Sequence, residues 1–333
     1  MTDSASKNFP VDAVITWVDG ADPEHAKKLN AYLTTLGDVR PRAANPIRFH
    51  HSGELDYCVN SLLRFAPWIR TIHIVTDNQI PAIINRLQGS EYEGRVVVVD
   101  HSVIFAGFEQ YLPTFNSSSI LAVLWRIPDL AEHFIFLNDD FALVQPVKAS
   151  DFFREDKVVL RGNWRAFAES GWRKRVRRWV KEVLMKNKQS EQRAGYLAGQ
   201  ELSAAVVGFE KKYFQIPHNP HAWRVSTFKN FFEDNHALLE FSVSFRLRSA
   251  EQFIVEGLAA HLELKAGSAV VDNQLTTLQL KPADQVFFRI KNKIDAADKD
   301  IRTTFICIQS IEKAPESTQS FIFSWLNKRI GGV

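Results

Sequence analysis

Two adjacent carboxylates, Asp139 and Asp140, close the run FIFLN at residues 134–138, and the sequence returns at once to the apolar FAL at 141–143. Like charges at the end of a buried strand repel each other, and a divalent cation that neutralises a diphosphate is one chemistry that uses them. Solvated loop acids or a helix cap would show the same residue types. Successive side chains of a strand face opposite ways, so both acids reach one ligand only if the chain turns there. Asp19 stands in the same position after AVITWV (13–18), where Asp-Gly is also a tight-turn pair. Trp17 beside it is either core or a ring on which a base could stack. His218 and His221 in PHNPHAWR bring imidazoles that titrate near neutrality, as a general base must. Arg246 and Arg248 in FRLRSAEQF bring guanidinium forks that suit phosphate, although arginines on a solvated strand read the same way. TWVDGADP lacks the glycine spacing of a dinucleotide-binding turn or a phosphate-binding loop, so any nucleotide is held differently.

These residues need a scaffold that gathers strand ends. AVITWV (13–18), IHIVT (72–76), RVVVVD (95–100) and FIFL (134–137) are short apolar runs that each end in polar or acidic residues. Between them, residues 54–69 place Leu55, Val59, Leu62, Leu63 and Ala66 on one helical face that stops before Pro67, and 116–127 begins with capping residues and continues as a helix. The alternation predicts an α/β fold around a largely parallel sheet, with ligands outside the carboxyl ends of the strands. TFICI (304–308) reads as a further strand and SFIFSWLNKR (320–329) as a terminal helix. The expected organisation is a nucleotide-binding part over 11–150, a basic helical insertion over 151–212 and a second part of the same catalytic domain over 213–333.

The 333 residues are 45% apolar and 24% charged, ordinary for a globular enzyme, with a net charge of +3. Cys58 and Cys307 stand far apart without neighbouring ligands, which argues against a disulfide framework or a zinc site and for a reducing compartment. MTDSASKNFP lacks the basic start and apolar core of a signal peptide, and no run approaches the length of a membrane span. The chain is expected to be cytoplasmic, with a peripheral contact at the inner face of the membrane. That contact is suggested by residues 173–188, where eight Arg or Lys face the single acid Glu182. Such repulsion along a helix is relieved by an anionic partner, so Arg173, Arg177, Arg178 and Lys181 are expected to bind a polyanionic acceptor or anionic lipid. Nucleic acid is not indicated, because no recognised module accompanies the charge.

Taken together, VDAVITWVDGADP (11–23), ELDYCVNSLLRFAPWIRTIHIVTDNQIP (54–81), LPTFNSSSI with RIPDLAEHFIFLNDDF (112–141), and more weakly HNPH and FRLRSAEQF, resemble the Stealth family of capsule polysaccharide phosphotransferases. The resemblance implies a GT-A-like nucleotide-sugar fold that transfers a sugar 1-phosphate from a UDP-sugar to a hydroxyl of a polysaccharide or lipid-linked glycan, releasing UMP. It implies Mg2+ or Mn2+ at Asp139 and Asp140, the nucleotide-sugar near Trp17, Asp19, Gly20, Ser117 and Arg248, and Asp140, His218 and Arg246 at the reacting phosphate. Arg246 rather than Arg248 holds the family register. The chain departs from that pattern at Leu121, where a Glu is usual, at Trp125, Asp129 and Ala250, and at Gln309 and Ser310, where Asn-Asp is usual. Two other readings follow from those departures: a glycosyltransferase releasing UDP, and a catalytically impaired homologue that binds polyanions.

Overall fold

The computed structural model describes residues 9–37, 42–44, 49, 52–167, 195–249 and 251–331. Arg173, Arg177, Arg178, Lys181 and Ala250 lie outside the described residues. In chain order the strands are β1 (Val11–Thr16), β2 (Ile72–Thr76), β3 (Val96–Asp100), β4 (His133–Asn138), β5 (Phe141–Leu143), β6 (Phe153–Arg154), β7 (Lys157–Leu160), β8 (Asn163–Ala166), β9 (Lys212–Gln215), β10 (His221–Arg224), β11 (Ala269–Val271), β12 (Thr276–Leu280) and β13 (Thr303–Ile308). The main sheet has the order β10-β4-β1-β2-β3, in which β1 to β4 run parallel and β10 runs antiparallel to β4. The chain moves from β1 outward through β2 and β3, then returns to β4 on the other side of β1. That reversal leaves a crevice at the carboxyl ends of β1 and β4.

The strands bury both faces, as the continuous apolar runs require. Ala13, Ile15, Ile135 and Leu137 face one core together with Leu55, Val59 and Leu62 of helix α2 (Glu54–Phe65). Val14, Phe134 and Phe136 face the other, against Trp223, Phe228 and Leu258. Asp12 on β1 is fully buried and fixes the sheet's opposite end. Arg70 holds it with two hydrogen bonds of 2.9 and 2.6 Å, and the Ala131 N–H donates to it at 2.8 Å.

Beyond Asp140 the chain changes sheets: β5 pairs antiparallel with β13, which pairs parallel with β12. The helix expected over 116–127 is instead a short helix, Ser117–Leu121, followed by a 3-10 turn at Leu124–Arg126. Pro128 disfavours helical backbone at Ile127, and the Trp125 indole donates to the Ala122 carbonyl at 2.9 Å, closing the turn. The insertion expected over 151–212 is not helical throughout. Its described residues include β6, β7 and β8, with β7 paired to β11 and β8 to β9, before a helix at Tyr196–Val207. Strands of two to four residues are too short to leave a periodic signal. Among the described residues no helix is long and apolar enough to cross a membrane.

Candidate active site

A cavity of about 640 Å³ opens at the carboxyl ends of β1, β2 and β4, within the usual range for small-molecule sites. Trp17 and Val18 follow β1 into it, Asp77 follows β2, Asn138, Asp139 and Asp140 follow β4, and Lys281, Gln309 and Ser310 follow β12 and β13. Ser117 and Arg248 also line it.

The turn that the two aspartates require is present, because β4 ends at Asn138 and β5 begins at Phe141. The corner is pinned from behind. The Ile308 N–H donates to the Asp140 carbonyl at 3.0 Å, and the buried thiols of Cys58 and Cys307 lie 3.8 Å from the Asn138 carbonyl and from Asp140 Oδ2. Asp140 Oδ1 is buried with no hydrogen-bond partner among the described residues. Burial, and then the Glu54 carboxylate, pushes the Asp140 carboxyl up to about 7. Burial, followed by Asp140 and Glu54, raises Asp139 as well. Glu54 stands in the first turn of α2 and accepts the Ser52 N–H at 2.6 Å. A cation would relieve this repulsion, and the orphaned Oδ1 is a free ligand atom for one. Among the described residues no three His, Cys, Asp or Glu side chains converge closely enough to hold a metal alone. The donor set therefore fits a magnesium-like ion, which is commonly held by one or two carboxylates, substrate phosphates and water.

Ser117 and Arg248 meet on another wall. The Asn116 side chain caps the helix at the Ser118 N–H and donates to Phe245 O and Gln252 Oε1, while the Phe115 N–H donates to Arg246 O. This knits Phe245, Arg246 and Gln252 to the Ser117 helix, and the Arg248 guanidinium donates to Ser117 Oγ. Arg246, which sequence register favours, does not line the cavity. It donates to the carbonyls of Gln110 and Leu112 at 2.9 Å each and lies over the Tyr32 ring, so it braces the loop instead.

Asp19 and Gly20 also act from outside the lining. Asp19 Oδ1 accepts the Ala21 N–H at 2.9 Å, and its backbone is held by the Gln79 amide. Gly20 donates its N–H to Phe49 O at 2.6 Å, and a Cβ there would overlap the Phe49 backbone, so only glycine lets this turn seat Phe49 against the cavity. His218 stacks on Tyr196 at 4.3 Å; burial, and then the charges of Lys281 and Arg248, lower its ring below the ordinary value. His221 on β10 is pressed down to about 3 by burial and His218, and stacks in the core against Phe136 and Trp223.

Several lining residues carry no motif in the sequence. Lys281 is of this kind, as is His25, whose two ring nitrogens are buried without hydrogen-bond partners, while Glu54 opens the motif at 54–81 without being singled out there. Asp77 and His101 lie just past β2 and β3, where the strand-end pattern pointed without singling out a residue.

Residues 9–37 match Stealth protein CR1, conserved region 1, and residues 48–160 match Stealth protein CR2, conserved region 2. Both matches place this chain's similarity to the Stealth family in its first 160 residues. The capsular polysaccharide phosphotransferase LcbA of Aeromonas hydrophila is 42% identical over 154 residues, 46% of this chain and 41% of that protein. A capsular polysaccharide phosphotransferase of Haemophilus influenzae is 41% identical over 151 residues, 45% of this chain and 40% of that protein. An exopolysaccharide phosphotransferase of Streptomyces coelicolor is 35% identical over 232 residues, 68% of this chain and 22% of that protein. The chain thus spans less than half the length of these curated relatives. Among solved structures, the galactosyltransferase LgtC aligns over 96% of both chains at a TM-score of 0.44 and 12% identity. The bifunctional glycosyltransferase WbbM aligns over 97% of this chain and 50% of that one at 0.45 and 13%. Likeness at that level carries no argument; the α/β class rests on the strand order itself.

The departures from the Stealth pattern fall in two groups. Leu121 is buried in the second core with Trp125 packed against it, and neither lines the cavity. Asp129 takes the place of a glycine at a φ of 57°, where its carbonyl accepts from Arg70 at 2.7 Å. Gln309 and Ser310 do line the cavity, so the change there bears on the ligand directly.

Proposed function

We propose that the chain transfers a sugar 1-phosphate from a UDP-sugar to an acceptor hydroxyl of a polysaccharide or lipid-linked glycan, releasing UMP, in capsule or cell-wall polymer synthesis. The observation that carries the reading is the carboxylate corner Asp139–Asp140 and the Arg248–Ser117 pair within one cavity at the β1/β4 crevice. The names of the Stealth relatives support it. Asp140 and Asp139 would hold Mg2+ or Mn2+, which when bound supplies countercharge to the diphosphate. Arg248 would bind the phosphate oxygens, whose growing negative charge is where phosphoryl transfer gains most.

In the step itself the acceptor oxygen bonds to the phosphorus that carries the sugar. The bond from that phosphorus to the bridging oxygen breaks, UMP departs with the electron pair, and the hydroxyl proton passes to His218. Burial and two neighbouring cations lower that ring below its ordinary value, which favours the neutral form that accepts a proton. The sugar C1–O bond is untouched, so its configuration is retained. The basic segment 173–188 supports a peripheral place beside an anionic membrane or polymer, through an attraction that salt screens. A screen of UDP-sugars with Mg2+ or Mn2+, reading the released nucleotide by mass, tests the proposal. UMP is expected. UDP would mean glycosyl transfer, and neither nucleotide would leave the polyanion-binding reading. His218→Ala should cut kcat by about 10²–10⁴ with little change in donor affinity.

A further inference from the structure

The cavity holds a cation that the mechanism above does not use. Lys281 follows the last residue of β12 directly, where Leu280 pairs with Ile308 of β13. The Gln309 N–H donates to Leu280 O, and the Ile308 N–H donates to Asp140 O, both at 3.0 Å. Two strand spacings, about 10 Å, therefore separate the Lys281 backbone from the Asp140 corner, a gap that a lysine side chain and one phosphate group together fill. The Lys281 side chain lines the cavity and is exposed to it. Glu312 and Asp284 line the same cavity, but among the described residues the Lys281 ammonium forms no ion pair or side-chain hydrogen bond with either. Gln309 and Ser310, its neighbours at the end of β13, carry no charge.

We propose that Lys281 is a phosphate-binding residue of this cavity, taking the donor's diphosphate from the β12 side and supporting its binding without a divalent cation. This rests on the nucleotide-sugar reading above. An exposed ammonium on a four-carbon stem meets the need, because it supplies a movable point charge with three donors and gives up no existing partner to do so. Its field reaches His218, whose ring is lowered first by burial and then by the charges of Lys281 and Arg248. Gln309 and Ser310 bring no charge to that rim, and Lys281 beside them brings a cation that can meet a phosphate.

Calorimetric titration of the full chain with UDP and with uridine, in EDTA and then in Mg2+, tests the assignment on wild type, Lys281→Met and Lys281→Arg. In EDTA, Lys281→Met should weaken UDP binding about tenfold or more, as loss of a charged hydrogen bond does. Uridine affinity should be unchanged, Lys281→Arg should restore most of the loss, and Mg2+ should narrow the gap. Equal UDP binding by wild type and Lys281→Met in EDTA would overturn the role of Lys281 alone, and so would an equal loss for uridine. A wild-type chain that binds no UDP with or without Mg2+ would overturn the nucleotide-sugar reading and this inference with it. The lysine is exposed, so the variants should keep the wild-type unfolding midpoint.

Discussion

Replacing Asp140 with Asn should remove turnover and, above neutral pH, stabilise the fold. The carboxyl is pushed to about 7 by burial and Glu54, against an unfolded value of 3.8. Between those values the folded protein keeps a proton that the unfolded chain releases. The contribution of this group to stability is therefore fully present below about pH 4 and lost as pH rises through about 7. A difference of about 3 pH units corresponds to about 4 kcal/mol, a ceiling, because the carboxyl borders an open cavity where water and side chains relax around its charge. About 2 kcal/mol is the expected size. Asn cannot ionise, so its advantage should be near zero at about pH 4, grow between pH 5 and 7, and level off near 2 kcal/mol above that. Urea unfolding in EDTA at about pH 4.5, 6 and 8 reads this directly. Addition of Mg2+ should raise the wild type at about pH 8 and leave the variant almost unchanged. Turnover of the variant should fall by about 10²–10³ or more. A variant no more stable than wild type at pH 8, or one stabilised equally at pH 4.5 and 8, would show that the corner holds no repulsion to release.

The two arginines separate by role. Arg248→Met should lower UDP affinity about tenfold or more while the loss of its Ser117 contact costs the unfolding midpoint less than Arg246→Met does, since Arg246→Met frees the Gln110 and Leu112 carbonyls that the guanidinium holds; equal effects of the two variants would remove the distinction. Asp12→Ala, which leaves Arg70 and the Ala131 N–H without their acceptor, should cost about 3–5 kcal/mol in urea unfolding at pH 7. Burial alone would raise that carboxyl, but hydrogen bonds with His73 and Arg70 outweigh it and hold it at about 2. The folded value is depressed, so its contribution is present above about pH 4 and fades as pH falls toward 2, and the cost of the substitution should fade with it.

What the sequence reveals of the site follows from where its residues get their meaning. Asp139 and Asp140 are legible because the apolar run before them marks a strand, and a strand end in an α/β sheet is where ligands sit. The turn that aims both at one cavity is legible only as a condition, since it depends on β5 leaving for β13, a contact more than 160 positions away in the chain. The same distance hides Lys281, which belongs to no local pattern and enters the cavity through a strand pairing; Glu54 opens the motif at 54–81, but its place in the cavity comes from a helix end that periodicity does not locate. Arg246 and Arg248 are indistinguishable as a pair in FRLRSAEQF, because register along a motif says nothing about which guanidinium finds carbonyls nearby. Arg246 meets Gln110 and Leu112, and Arg248 meets Ser117.

The Asp19–Gly20 turn illustrates the other half of the argument. Its residues read as chemistry because Asp-Gly follows a strand, yet one oxygen of the aspartate accepts the Ala21 N–H and the glycine is fixed by the close approach of Phe49. Their effect on the cavity passes through what they position: Gln79, which holds Asp19, and Phe49, which lines the cavity and packs with Leu29, Ala44 and Phe115 in a small cluster of its own. A strand-end motif therefore locates the site more securely than it assigns tasks within it. The tasks divide according to which side chains still have unmet valence after the fold has taken its share. By that measure Asp140, with a buried and orphaned oxygen, has the strongest claim on a ligand, whereas Asp19 and Arg246 are each partly engaged with backbone groups.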